Sequence, residues 1–124
     1  MIFKRRKKEE DKAKSLHESH MKNLMVLAMA DGHLAEIEKH LLVSIAHRHG
    51  LDEKDIEEIR GNIDNISFVL PEKYDDRIEQ FNDLLTLMSV DSKIDESEEK
   101  HCRDLAKKYE LMPSVVDEMI GNFR

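Results

Sequence analysis

Apolar residues recur at helical intervals along most of the chain. The first such run follows Ser15, which with Glu18 has the S-x-x-E spacing of a capping box, and it continues to about Ala30. The pair Asp31-Gly32 then interrupts it. This pattern predicts a first helix over about 15–30.

The same spacing predicts five further helices. The second helix ends near Gly50, with Ile37, Leu41, Leu42 and Ile45 facing inward, and a short third helix lies between Asp52 and Gly61. A long fourth helix runs to about Val90, a fifth covers about 95–108, and a sixth begins at Pro113. Pro71 is expected to open the long helix. Residues 66–70 have the composition of a strand but no evident partner strand, so a buried connector is preferred.

An internal repeat organises these helices. When the chain is aligned with itself so that Leu24 falls on Leu84, ten positions between 24 and 62 are identical to their counterparts, among them Asp31 with Asp91 and Gly61 with Gly121. The predicted breaks coincide as well, and the alignment needs no gap. We therefore expect two copies of a unit of two helices and a short third helix, each covering the apolar face of the other.

Composition agrees with an all-α fold. The 124 residues suffice for one core, and four Gly and two Pro are too few for the turns of a sandwich or barrel. A single Cys excludes an internal disulfide and suits a reducing compartment. No apolar run approaches the length of a membrane span, and no secretory signal is recognisable. We expect a cytoplasmic protein.

The charge is unevenly distributed. The net charge of the chain is −7. Residues 1–8 contain five basic residues and no acidic one and so carry +5, which leaves −12 on residues 9–124. These basic residues are Lys4, Arg5, Arg6, Lys7 and Lys8. The acidic body argues against nucleic-acid binding. Residues 1–14 are expected to be a flexible charged leader ahead of a domain over 15–124. The leader is either a plain tail or a peripheral contact with an anionic membrane.

Two acidic turns share the pattern D-x-x-[LI]-x-x-x-E. The first resembles the back half of an EF-hand loop, but the front carboxylates are missing, which argues against a tight calcium sensor. One interpretation is structural, with Asp95 and Glu98 forming a D-x-x-E capping box. The other is a weak divalent-metal or partner site. Its candidate residues are Asp31, Glu36, Glu38, Asp91, Asp95, Glu96 and Glu98.

The two turns, LMVLAMADGHLAEIE and LLTLMSVDSKIDESE, resemble those of the TerB-like tellurite-resistance proteins. The Gly50-Leu51 and Leu70-Pro71 pairs fit the same pattern, and a related domain precedes the J-domain of a membrane-anchored bacterial co-chaperone. The resemblance covers about residues 15–123. One departure is Ser92, which stands where the family has Gly.

The resemblance implies an all-α bundle of about six to seven helices made from two pseudo-repeats. It also implies a bacterial stress-response protein, at the inner membrane surface, with no enzymatic reaction. Its acidic turns would dock a protein partner or a weakly bound divalent cation. The alternative is a divalent metal-ion sensor or buffer with degenerate EF-hand-like turns.

Other residue types are less informative. Among the seven His, only His17 and His20 have a spacing that allows joint chelation, and a zinc site needs two more ligands, so partly exposed surface histidines are expected. Cys102 is expected to be a buried thiol, and no motif predicts catalysis. The methionines are expected in the core, with a Met-lined peptide groove as the alternative.

Overall fold

A computed structural model describes residues 2–29, 35–90 and 93–123, and the side chains of residues 8–29, 35–90 and 93–123. Within these ranges the chain forms six α-helices and one 3-10 turn, and it contains no strand. They are α1 (Ile2–Ala28), α2 (Glu36–Arg48), α3 (Glu53–Gly61), the 3-10 turn Ile63–Asn65, α4 (Tyr74–Met88), α5 (Glu96–Lys108) and α6 (Pro113–Gly121). The predicted all-α class is confirmed.

Helices α1 and α4 form the centre of the bundle. They pack against each other, α1 also contacts α2 and α3, and α4 also contacts α2 and α5. Their facing sides carry fully buried apolar side chains, including Met21 and Leu24 of α1 and Phe81 and Leu84 of α4. Because each helix presents these residues at helical spacing, one shared core holds both halves together.

The bounds of the helices repeat in the predicted register. In the alignment that places Leu24 on Leu84, both ends of α2 fall on the ends of α5, and both ends of α3 fall on the ends of α6. The turn between the two helices repeats as well. Leu51 N donates to Ala46 O at 2.9 Å, and Leu111 N donates to Ala106 O at 3.1 Å.

This turn needs a left-handed residue in both halves. In the first half Gly50 supplies it with φ 78°, and in the second half Glu110 adopts φ 54°. A left-handed conformation costs a residue with a Cβ roughly 1–2 kcal/mol, whereas glycine adopts it freely. The second half therefore carries a local strain that the first half avoids.

The caps predicted at two helices are confirmed. The Asp52 side chain accepts from Asp55 N at 2.9 Å at the start of α3, and Asp95 forms a capping box with Glu98 at the start of α5. Pro113 occupies the first turn of α6, as expected.

Three local predictions are wrong. Helix α1 begins at Ile2, so Ser15 lies inside it and is not a cap. The strongly charged start lacks the apolar periodicity that marks the rest of the helix, and for that reason the pattern does not reveal it. Helix α4 begins at Tyr74, three residues after Pro71. Ile37, predicted to face inward, is 47% exposed, whereas Leu41, one turn later in α2, packs against the core.

The segment between the 3-10 turn and α4 is the predicted buried connector. Ile66 and Pro71 are buried there. Lys22 Nζ donates to Ile66 O at 2.6 Å, and Val69 N donates to Ser19 Oγ at 2.9 Å, so α1 satisfies backbone groups that a partner strand would otherwise take. None of the described helices is both long and apolar enough to cross a membrane.

Candidate functional site

The acidic turn before α5 is engaged in helix capping. Asp95 Oδ1 accepts from Glu98 N at 2.8 Å and from Ser97 Oγ at 2.9 Å, and Glu98 Oε1 accepts from Asp95 N at 3.1 Å. The hydrogen bond from the Glu98 backbone, followed by that from Ser97, lowers the pKa of Asp95. Both carboxylates therefore serve the helix terminus.

Glu36 and Glu96 are equivalent in the repeat, and both are exposed in the first turn of a helix. Glu36 approaches Lys39 at 4.0 Å, and Glu38 is half-buried. Asp31 and Asp91 lie outside the described residues, so the geometry of the two complete turns stays a prediction. The described acids of the turns do not converge on one point closely enough to form a metal-ligating group.

A different group does converge, which we call the His–Asp cluster: His20 of α1, His49 at the end of α2, and Asp83 of α4. Among the described side chains it is the one group of three or more His, Cys, Asp or Glu whose ligand atoms all lie within 4.8 Å of one another. His20 is fully buried and Asp83 is 5% exposed. His20 Nε2 lies 2.8 Å from Asp83 Oδ2.

Charged neighbours surround this cluster on its outer side. Arg48 Nη2 donates to Asp83 Oδ2 and lies 3.3 Å from Glu79 Oε1. The side chains of Arg48 and Glu79 are both about half exposed, so the cluster adjoins the surface at this point. His49 Nε2 is 3.9 Å from Glu79 Oε1, which is beyond hydrogen-bonding distance.

Two buried ring nitrogens of the cluster have no hydrogen-bond partner, His20 Nδ1 and His49 Nε2. His17 adds a third imidazole, with its ring centroid 4.7 Å from that of His49. Burial lowers the pKa of both His17 and His49, and the neighbouring imidazoles lower it further. These rings therefore favour the neutral form, which carries a lone pair for a ligand.

The repeat places a second polar cluster at the equivalent positions, with two residues from the second half and one from the first, which we call the neutral cluster. In the repeat alignment Gln80, Tyr109 and Asn23 correspond to His20, His49 and Asp83. Tyr109 Oη donates to Gln80 Oε1 at 3.0 Å, and Asn23 Nδ2 donates to Tyr109 Oη at 3.2 Å.

The neutral cluster carries no charge near pH 7. Burial raises the pKa of Tyr109 to about 12, so its hydroxyl stays protonated. None of the buried polar side-chain atoms of these three residues lacks a partner. Of the two repeat-related clusters, one is therefore a closed hydrogen-bond network and the other is titratable and incompletely bonded.

The sequence indicates only part of the His–Asp cluster. His17 and His20 have a spacing that allows joint chelation, but the prediction of surface histidines is wrong for the buried His20. Two features of the sequence mark the other polar core positions, although neither shows that these residues meet. Asp83 lies between Phe81 and Leu84 on the apolar face of a predicted helix, and the repeat itself aligns polar residues at three core positions.

Cys102 is buried, as expected, at the position equivalent to Leu42. Burial, followed by the charge of Glu98, raises the pKa of its thiol to about 12. Its Sγ lies 3.1 Å from Met88 Sδ. The thiol is therefore protonated at neutral pH and packs as an apolar side chain.

A surface groove of about 390 Å³ lies between the end of α1, α2 and α3. Met25, Met29 and Val43 contribute to its floor, and charged residues form its rim. At the equivalent place in the second half, Arg103 donates to Asp117 Oδ1 at 2.7 Å and connects α5 to α6. The Met residues therefore line a groove in one half, where the other half has an ion pair.

Comparison with protein-family profiles, with curated proteins and with solved structures finds no match for this chain. A functional assignment therefore depends on the residues themselves.

Proposed function

We propose that this chain is a non-enzymatic, TerB-like interaction module of a bacterial stress response of the tellurite-resistance type. In this proposal its acidic turns dock a protein partner or hold a weakly bound divalent cation. The resemblance of both turns to the TerB-like pattern supports it. So does the presence of Glu36 and Glu96 at equivalent exposed positions, free of any capping role of the kind that Asp95 has.

The chemistry of the partner follows from charge. Residues 9–124 carry a net −12, so a basic segment of a partner would be attracted to the turns. The helix dipole stabilises acidic side chains in the first turn of a helix, and an exposed carboxylate there remains available to a basic group of the partner or to a metal ion. The basic residues Lys4–Lys8 would place the module at an anionic cytoplasmic membrane surface.

The test is an amide NMR titration of the full chain with Ca²⁺, Mg²⁺ and Mn²⁺, compared between wild type and the pair Glu36→Gln/Glu96→Gln. The matched control is Glu58→Gln/Glu118→Gln, which removes the same charge at another exposed, repeat-equivalent pair. Saturable shifts at residues 31–38 and 91–98 that only the first pair abolishes would favour the metal-ion sensor over the docking module.

A flat response to millimolar ion would leave partner docking as the function of the turns. Capture of bacterial proteins on the immobilised chain then decides it. Docking predicts that a basic partner is retained by wild type and by the Glu58→Gln/Glu118→Gln control and is lost with Glu36→Gln/Glu96→Gln. Equal retention by all three proteins would contradict the proposal. Binding to phosphatidylglycerol vesicles that disappears in high salt is expected from the basic N-terminal residues.

A further inference from the structure

We propose that His20, His49 and Asp83 bind one divalent transition-metal ion, with Zn²⁺ as the ion that best matches their chemistry. Two imidazoles and a carboxylate form a ligand set that zinc accepts, and three protein ligands leave a fourth position for water. This site is separate from the acidic turns, and its existence does not depend on the function proposed for them.

The unpartnered ring nitrogen of His49 is the first argument. His49 Nε2 is buried and has no partner, whereas the fully buried His20 already directs its Nε2 to Asp83 Oδ2 at 2.8 Å and would offer that same nitrogen to the ion. Buried polar atoms in folded proteins are nearly always hydrogen-bonded, so the unpartnered nitrogen of His49 requires an explanation. A metal ion that accepts imidazole lone pairs would provide one.

The distances are the second argument. The three ligand atoms lie within 4.8 Å of one another. A tetrahedral zinc ion with bonds of about 2.0–2.1 Å holds its ligand atoms roughly 3.3 Å apart. The side chain of His49 is 18% exposed at the end of α2. A small movement of this ring toward His20 would bring the three ligand atoms to the spacing that one ion needs. Because the His49 side chain is partly exposed, the ion could enter the site from the solvent beside it.

Arg48 occupies the position that a metal ion would contest, because its guanidinium is bonded to Asp83. Its alternative partner is already in place, since Glu79 Oε1 lies 3.3 Å from the same nitrogen. On metal binding, Arg48 would transfer to Glu79 and release the carboxylate. Arg48 therefore balances the charge of buried Asp83 when no ion is bound.

The neutral cluster provides an internal comparison. At the equivalent positions Gln80, Tyr109 and Asn23 satisfy their hydrogen bonds without a charged group. The fold therefore does not require ionisable residues at this place. The residues at the corresponding positions of the His–Asp cluster are all of the types that ligate transition metals.

The test is calorimetric titration of the metal-free full chain with Zn²⁺, together with the visible absorption of the Co²⁺ form, which reports coordination directly. We expect one ion per chain. His49→Gln should weaken binding by at least about 10–100-fold, because a loss of this size is typical even when the mutated residue only hydrogen-bonds to a metal ligand. Asp83→Asn should do the same, and circular dichroism verifies that each variant is folded.

Three sets of variants make the result specific. His47→Gln and His101→Gln, which alter exposed histidines, should leave the affinity unchanged. Glu36→Gln/Glu96→Gln should also leave it unchanged, which separates this site from the acidic turns. Arg48→Gln should increase it, because a competing cation is removed. If wild type binds Zn²⁺ no more tightly than His49→Gln, or if the surface variants lower the affinity equally, the cluster is a structural network and the proposal is overturned.

Discussion

The half of the molecule that ends at Gly61 and the half that ends at Gly121 share the bounds of their second and third helices in the repeat alignment, yet they differ where their polar groups are buried. The second half closes its neutral cluster with Tyr109. The first half places His49 at the same position, beside Asp83 and two further imidazoles. Since the helix that ends at each of these positions has the same bounds in both halves, the substitution of His49 for Tyr109 changes the chemistry without changing the helix.

Two smaller differences follow the same division. The left-handed turn residue is Gly50 in the first half and Glu110 in the second. The groove beside α3 is open, whereas Arg103 and Asp117 connect the equivalent helices of the second half. The first half, which supplies two of the three residues of the His–Asp cluster, therefore also has the relaxed turn, and each difference can be tested by a paired substitution.

The largest effect is expected in the shared core. Phe81→Ala should lower the free energy of unfolding by about 3–5 kcal/mol, and the equivalent Met21→Ala by about 2–5 kcal/mol, because both side chains are fully buried between α1 and α4. Urea denaturation of both variants measures this. A near-neutral effect at either position would mean that the two halves do not share one core.

A smaller loss is expected when the neutral cluster is broken. Tyr109→Phe leaves Gln80 Oε1 buried without its donor, which should cost about 1–3 kcal/mol of stability. Because the His–Asp cluster is untouched, Zn²⁺ affinity should stay at the wild-type value. Urea denaturation and calorimetry on the same sample check both parts. A change in metal affinity would show that the two clusters are coupled through the core.

Opposite effects are expected at the two left-handed turns. Glu110→Gly should stabilise the chain by about 0.5–1 kcal/mol, whereas Gly50→Ala should destabilise it by about 1–2 kcal/mol. The space around Gly50 is open, so the cost there comes from the backbone alone. Thermal unfolding of both variants tests the pair. Effects of the same sign would contradict the equivalence of the turns.

The smallest effect concerns the link between α5 and α6. Arg103→Ala removes the contact with Asp117, and since both side chains are substantially exposed, the loss should be at most about 1 kcal/mol. The difference from wild type should shrink at high concentrations of NaCl. Urea denaturation at low and high salt measures it. A larger loss that salt does not affect would assign Arg103 a packing role in place of an electrostatic one.

Much of the fold could be predicted from local sequence. The starts of α3, α5 and α6 follow from Asp52, Asp95 and Pro113, whose effects act within one turn of the chain. The repeat is visible because apolar residues return at the same spacing. The start of α1 could not be predicted in this way, because a charged helix has no apolar stripe to reveal it.

The candidate site could be predicted only in part. His17 and His20 are near each other in sequence, so helical spacing alone relates them. His20 and Asp83 are far apart in sequence, and their contact exists only because α1 packs against α4. His49 joins them from the end of a third helix. Nothing local in the sequence indicates that these three residues meet.

The sequence by itself thus determined the class of fold, the turns and the twofold repetition, since these depend on propensity and periodicity within short segments. The tertiary structure decided which polar residues are buried and which of them converge, since burial and proximity depend on the packing of distant helices. The exposure of Ile37 and the burial of His20 were settled at this level. So was the convergence of His20, His49 and Asp83, which helical spacing alone does not predict.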